Sequence, residues 1–167
     1  YLSTSAQVSL PDSGGGTGNV ITIPVNAANI HGLIAASLTL NFDPSVLNPQ
    51  SASTGSLTAG WAFAANLSFP GQVRLSMSSS SAVDGAGILS NIEFEIIGAP
   101  GSSSALTISN ILLNDGAIPV ELGAGMFNVD NVYNVSGQTT FWNGGTTVPV
   151  TTITLTGDHI YEALSNS

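Results

Sequence analysis

Apolar residues recur along this chain with a period of two. In "SNIEFEII", Ile92, Phe94 and Ile96 alternate with Glu93 and Glu95, so a strand here buries one face and carries both carboxylates on the other. Similar short runs of Val, Ile, Leu, Thr and Phe appear in "AQVSLPD", "NVITIPVNAANI", "GLIAASLTLNFD", "GQVRLSMSSS", "SALTISNILLND" and "GAIPVELGAGMFNV". Clusters of Gly, Pro, Asn, Asp and Ser separate them at a spacing of roughly 8–12 residues, the pattern of an all-β sandwich. No long helix is predicted.

The punctuation between the runs is specific in places. "DPSVL" at Asp43 to Leu47 sets a good N-cap before a proline at the first helical position, which predicts a tight turn or one turn of helix leaving a strand. Asn114-Asp115-Gly116 predicts a hairpin turn of the Asp-Gly kind. It does not suit an EF-hand calcium loop, because Ile111 and Leu113 stand where that loop needs oxygen ligands. "SSSS" at Ser78 to Ser81 and "GSSS" at Gly101 to Ser104 read as loop tips, and His31 as an exposed turn residue.

From Ser136 to Asp158 runs "SGQTTFWNGGTTVPVTTITLTGD", read as two strands joined by an Asn-Gly-Gly turn and followed by one more short apolar-polar run. Its apolar members include Phe141, Trp142, Val148, Val150, Ile153, Leu155, Ile160 and Tyr161. A two-strand unit is marginal in water alone, so it is expected to pack on the preceding sandwich or on a neighbouring chain. The expected division is a sandwich over 1–129 and a partial second β-module or strand-exchange extension over 130–167.

Composition narrows the function. Of 167 residues 43% are hydrophobic and only 7% charged, and the net charge is −9 with one basic side chain, Arg74. Ser, Thr, Gly and Asn supply the polar surface, a balance expected of an extracellular or cell-surface β-protein. With a single cation, neither nucleic acid nor an anionic membrane is an expected partner. The absence of cysteine removes disulfides, thiol catalysis and thiolate metal sites. No apolar run approaches the length of about 18 residues that a spanning helix needs. Tyr1 in first place fits a processed or trimmed precursor.

No enzymatic chemistry is expected. The two histidines, His31 and His159, are far apart, lysine is absent, and no Gly-x-Ser-x-Gly or His-Glu-x-x-His motif occurs. Serines without an activating base are not nucleophiles. Glu93 and Glu95 come from one strand, so they cannot flank a glycosidic bond. They read as a solvated acidic face guarding against edge aggregation, or as part of a partner-binding face. Trp61, Phe63 and Phe69 are candidates for sugar stacking, with core packing the commoner fate of such rings. Asn66-Leu67-Ser68 and Asn134-Val135-Ser136 match the N-glycosylation sequon. No cofactor is expected; calcium at a module junction, with Asp130 and Asp158 as candidate ligands, is the one ion the acidic composition leaves open.

Several segments together carry a family resemblance. "VSLPD", "IPV" with "NIHG" following, "LTLNFDPSVL", "TGSL", "NLSFPGQVRLSM", "DGAGILSNIEFEI" and "ALTISNILLNDG" resemble the corresponding parts of a cohesin domain over about Gln7 to Val129. The resemblance implies a two-sheet jelly roll of about nine strands, and a module that binds dockerins, small calcium-loaded domains, mainly through one sheet face. Between Met77 and Gly87 the chain carries only "SSSSAVDGA", shorter and plainer than the interface segment of dockerin-binding relatives. "VYNVSGQTTFWNGGTTVPVTTITLTGD" resembles the start of a carboxypeptidase-regulatory-like, or prealbumin-like, β-module, which needs about 70–80 residues to close a core.

The expectation is therefore a non-enzymatic module for protein assembly at a cell surface. Its partner is a dockerin-like module within a scaffold or, alternatively, copies of itself in a homopolymeric filament joined by strand complementation. A carbohydrate-binding module is the third reading. Candidate partner-binding residues are Glu93, Glu95, Arg74, Phe141, Trp142, Val150, Ile153 and Leu155.

Overall fold

The computed structural model describes residues 5–131, together with the backbone of two further strands at 152–155 and 161–164. The chain divides into two compact units, Tyr1–Val132 and Tyr133–Ser167. In the first, alternation of apolar and polar residues produces nine strands: β1 Ala6–Ser9, β2 Ser13–Gly15, β3 Val20–Asn41, β4 Leu47–Thr54, β5 Ala62–Phe69, β6 Gln72–Ile96, β7 Ser103–Leu113, β8 Val120–Gly123 and β9 Gly125–Val129. They form the expected two-layer, jelly-roll β-sandwich. Among the described residues no helix is long and apolar enough to cross a membrane.

The register explains how nine strands make two layers. β3 and β6 run 22 and 25 residues and pair antiparallel along most of their length. Register shifts between Ala27 and Ala35, with left-handed backbone at Asn29 and Gly32, bend this ribbon so that its halves belong to different layers. Layer one takes the β3 half around Val20–Ile30, the β6 half around Gly85–Ile96, and β4, β1 and β8. Layer two takes the β3 half around Ala35–Asn41, the β6 half around Gln72–Ser78, and β5, β7, β9 and β2. At their far ends, β8 passes to β9 through Ala124, and β1 to β2 through Leu10, Pro11 and Asp12, so both pairs cross between layers side by side.

The core lies between the layers. Layer one contributes Ile23, Val25, Leu89, Ile92, Phe94 and Ile96; layer two contributes Leu38, Leu40, Val73, Leu75, Met77 and Leu106, all buried in one cluster. Phe42 meets Phe94 edge to face with ring centroids 5.1 Å apart, geometry that adds about 0.5–1.5 kcal/mol beyond area burial. Two glycines permit close approaches. A Cβ on Gly125 would overlap the Pro11 carbonyl and lie 2.8 Å from that of Leu10, and one on Gly55 would overlap the Ile88 carbonyl. Next to Gly55, the buried Thr58 hydroxyl donates to the Leu89 carbonyl at 2.6 Å and accepts the Gly55 N–H at 3.2 Å, pinning the β4–β5 connection onto β6.

The turn at Asp43 matches its sequence signature. Asp43 Oδ1 accepts the Ser45 N–H at 2.8 Å and the Ser45 hydroxyl at 2.6 Å, while its carbonyl accepts from Val46 and Leu47. Asn114–Gly116 forms a single 3-10 turn closed by the antiparallel bridge of Leu113 and Ile118. The Asn114 side chain also clips the bend of β3, accepting from Ile34 and Ala35 and donating to Gly32. The loop-tip readings need correction. Ser78–Ser81 lies within β6, and Ser103 and Ser104 open β7, with Ser104 buried and its hydroxyl accepting the Asp43 N–H at 2.8 Å.

In the second unit, β10 (Thr152–Leu155) pairs antiparallel with β11 (Tyr161–Leu164). Ile153 stands opposite Ala163 and Leu155 opposite Tyr161. β11 corresponds to the short run expected near the end of the sequence. Phe141, Trp142, Val150 and Asp158, and the expected Asn-Gly-Gly turn, lie outside the described residues.

Candidate partner-binding faces

Period-two alternation gives each layer an outer face, and the two faces differ in chemistry. On layer one, Thr22, Glu93 and Ser51 form one cross-strand row, and Val20, Glu95 and Asn48 the next. Ser51 donates its hydroxyl to Glu93 Oε2 at 2.6 Å, and the Asn48 and Gln50 amides donate to Glu95 Oε2 at 3.3 and 3.1 Å. The alternation thus brings Glu93 and Glu95 together as expected. β6 is paired on both sides here, by β3 and β4, so the two carboxylates guard no strand edge.

Layer two presents three rows across β7, β3, β6 and β5. Leu112, Ser37, Ser76 and Ala64 form the first; Ser109, Thr39, Arg74 and Asn66 the second; Thr107, Asn41, Gln72 and Phe69 the third. None of these side chains is a carboxylate. Half are serine, threonine or alanine, and neighbouring members bond to each other, as where the Asn41 amide donates to Ser109 Oγ at 3.0 Å. Thr39, near the centre, is buried by its neighbours. Leu112 at one end and Phe69 at the other are 49% and 41% exposed, enough apolar surface to reward a partner that covers the plateau.

Arg74 occupies this second face, on the opposite side of the sandwich from Glu93 and Glu95. Its guanidinium lies 3.9 Å from the centroid of the Phe69 ring and donates to Gln72 Oε1 at 3.0 Å. Stacking and hydrogen bonding fix the fork in one orientation, and its remaining donors have no carboxylate partner among the described residues. Arg74, Glu93 and Glu95, grouped by the sequence as one candidate set, therefore divide between two faces. Ser37, Thr39, Ser76, Ser109 and Leu112 were not singled out by sequence reasoning. The alternation Arg74, Ser76, Ser78 carried the signal for the β6 members, but the neighbours from β3 and β7 depend on long-range register.

The remaining candidates resolve separately. Trp61 and Phe63 are partly buried against the core, while Phe69 alone of the three is exposed. His31 is exposed, with Nδ1 3.7 Å from Asp84 Oδ1, and Asp84 Oδ1 also accepts the Gly32 N–H at 2.9 Å. Asp130 is exposed and its N–H donates to the Gly15 carbonyl. Among the described residues no three His, Cys, Asp or Glu side chains gather where they could hold a metal ion.

A nine-stranded jelly roll, with three rows on one outer face that hold no carboxylate, defines the class of the protein as a two-layer β-sandwich. The family model for the cohesin domain matches residues 6–122, and the chain belongs to the cohesin family. Among solved structures it is similar to a non-cellulosomal cohesin from the hyperthermophilic archaeon Archaeoglobus fulgidus, with 22% identity and a TM-score of 0.68 over 75% of this chain and 91% of that one. It is likewise similar to the sixth cohesin of scaffoldin B from Acetivibrio cellulolyticus, solved with a Cel5 dockerin, with 21% identity and a TM-score of 0.67 over 76% and 100% of the two chains. A type I cohesin from Clostridium thermocellum, solved as the Coh-OlpC-Doc435 complex, gives 15% identity and a TM-score of 0.68 over 79% and 99%. No curated protein matches the chain.

Proposed function

We propose that this protein is a cell-surface scaffold module that docks a dockerin-type partner on the outer face of layer two. The observation that carries the proposal is the absence of carboxylates from the three rows around Thr39 and Arg74. On a chain of net charge −9, such a face can be covered without stripping water from a carboxylate. Layer one offers no such surface, since covering Glu93 and Glu95 would desolvate two carboxylates. Within the layer-two face, Arg74 supplies the one cation and takes a carboxylate of the partner, while Leu112 and Phe69 supply apolar anchors at either end. Membership of the cohesin family, with relatives solved in complex with dockerins, supports a partner of that class.

The test is titration calorimetry of the purified protein against a panel of dockerins, with and without a calcium chelator, beside sedimentation of the protein alone. Calcium-dependent binding to at least one dockerin by a monomeric protein is the expected result. Concentration-dependent polymers with no dockerin binding would instead favour self-assembly by strand complementation through the segment 130–167. Retention on polysaccharide that is lost in Trp61→Ala would favour the carbohydrate-binding reading.

A further inference from the structure

The Asn66 sequon sits in an unusual place on the layer-two face. Asn66 pairs with Arg74, but the next register pair is Phe69 with Gln72, so Leu67 and Ser68 form a bulge on β5. A bulge re-aims the side chains beside it and loosens the ladder locally. Only β6 pairs with β5, so the bulge lies on a strand whose other edge carries no partner strand among the described residues. Asn66 and Ser68 are both exposed. The Asn66 Oδ1 accepts the Ser68 N–H at 3.0 Å, which fixes the amide, while its Nδ2 donates to no protein group among the described residues. The sequence requirement, Asn-Leu-Ser with no proline between, and the access an attaching enzyme needs are therefore met together.

We infer that Asn66 is an N-glycosylation site. In the reaction, Asn66 Nδ2 attacks the anomeric carbon of an oligosaccharide carried on a lipid phosphate or pyrophosphate. The N–C bond forms, the bond from that carbon to the phosphate oxygen breaks, the lipid phosphate leaves with the electron pair, and one amide proton is released. The product projects a bulky, hydrated glycan from β5 beside Arg74. On the reading that layer two is the docking face, the glycan covers the β5 side of that face beside Arg74 and Phe69 and leaves the Leu112 end open, so modified molecules lose binding and unmodified ones retain it.

The chain carries its own assay. Within residues 1–167 the only lysine or arginine is Arg74, so trypsin cuts this stretch once and separates Asn66 from the second sequon at Asn134. Masses of the tryptic pieces that carry Asn66 and Asn134, from protein isolated from its own cells, read the two sequons independently. The expected result is a sugar mass on the piece that ends at Arg74, assigned to Asn66 by electron-transfer fragmentation and abolished by both Asn66→Gln and Ser68→Ala. That piece found only unmodified would overturn the inference. Dockerin titration of unglycosylated protein from a host lacking the pathway separates the two readings. Failure to bind there counts against the docking face alone, and glycan at Asn66 stands or falls by the mass.

Discussion

The two outer faces of the sandwich are built from the same two strands, yet they invite opposite treatment by a partner. β3 and β6 each give one half to layer one and the other half to layer two. On layer one the β6 half carries Glu93 and Glu95, already accepting from Ser51, Asn48 and Gln50. On layer two it carries Gln72, Arg74, Ser76 and Ser78, flanked by hydroxyls and alanines. Architecture does not distinguish these faces; the cost of drying them does. A hydroxyl plateau exchanges its water for partner hydrogen bonds at little net loss, whereas an uncompensated buried carboxylate costs several kcal/mol.

Placing a charge where none stands gives the largest expected break in this comparison. Ser76→Glu is expected to weaken dockerin binding by about 3 kcal/mol or more, roughly 100-fold, because the new carboxylate is buried unpaired in the complex. Glu93→Gln with Glu95→Gln is expected to leave affinity unchanged in the same titration. Equal losses from both changes would show that the faces are not distinct.

Next comes the joint that keeps the layers apart. Gly125→Ala forces a Cβ into the Leu10 and Pro11 carbonyls, neither of which is the yielding end of a side chain. A stability loss of about 1–3 kcal/mol is expected, read from the midpoint of urea unfolding. A wild-type midpoint would mean that the crossing is looser than its geometry shows.

Arg74→Gln removes the one cation from layer two while keeping hydrogen-bonding capacity. A loss of about 1.5–3 kcal/mol in partner affinity is expected, the usual weight of a hydrogen bond to a charged group, together with a flatter salt dependence. Arg74→Lys should recover the salt dependence but not the full affinity, since lysine lacks the planar fork.

The smallest effect lies at the turn that carries β3 of layer two into β4 of layer one. The Ser45 hydroxyl, and then the Ser45 N–H, hold the Asp43 carboxyl below its ordinary value. A carboxylate depressed in the folded state adds stability that is fully present above its unfolded pKa and is lost as pH falls through the lower folded value. Asp43→Asn is therefore expected to flatten the acid limb of a melting-temperature profile slightly. The effect is small because the group is solvent-exposed.

How much of this was written in the sequence varies by element. The alternation of Ile92, Phe94 and Ile96 with Glu93 and Glu95 gave strand, core face and acidic face together, because a period of two is a local property. Asp43-Pro44-Ser45 was legible for the same reason. The continuity of β3 was not. Asn29 and Gly32 resemble turn signals, so residues 20–41 read as two strands, yet ladder bonds resume on each side of the bend and the Asn114 side chain, from the other end of β7, secures it. Ser78–Ser81 misled likewise, since a serine run has no apolar alternation to announce a strand. The docking face was only partly legible. Arg74 stood out as a lone cation, but its company depends on β5 and β7 arriving in register, and no local pattern encodes that.

The crossing of β1 and β2 beside β8 and β9 has a mechanical meaning. β1 runs parallel to β8 over four register pairs and β2 parallel to β9 over three, so the first two strands of this unit lie beside its last two and point the same way. Tension that draws its beginning away from its end acts along those strands and loads their hydrogen bonds together in shear, with none positioned to peel first. In a force spectrometer the unit is expected to yield at higher load when pulled from these ends than when pulled open across the antiparallel β5–β6 hairpin, where bonds break in succession.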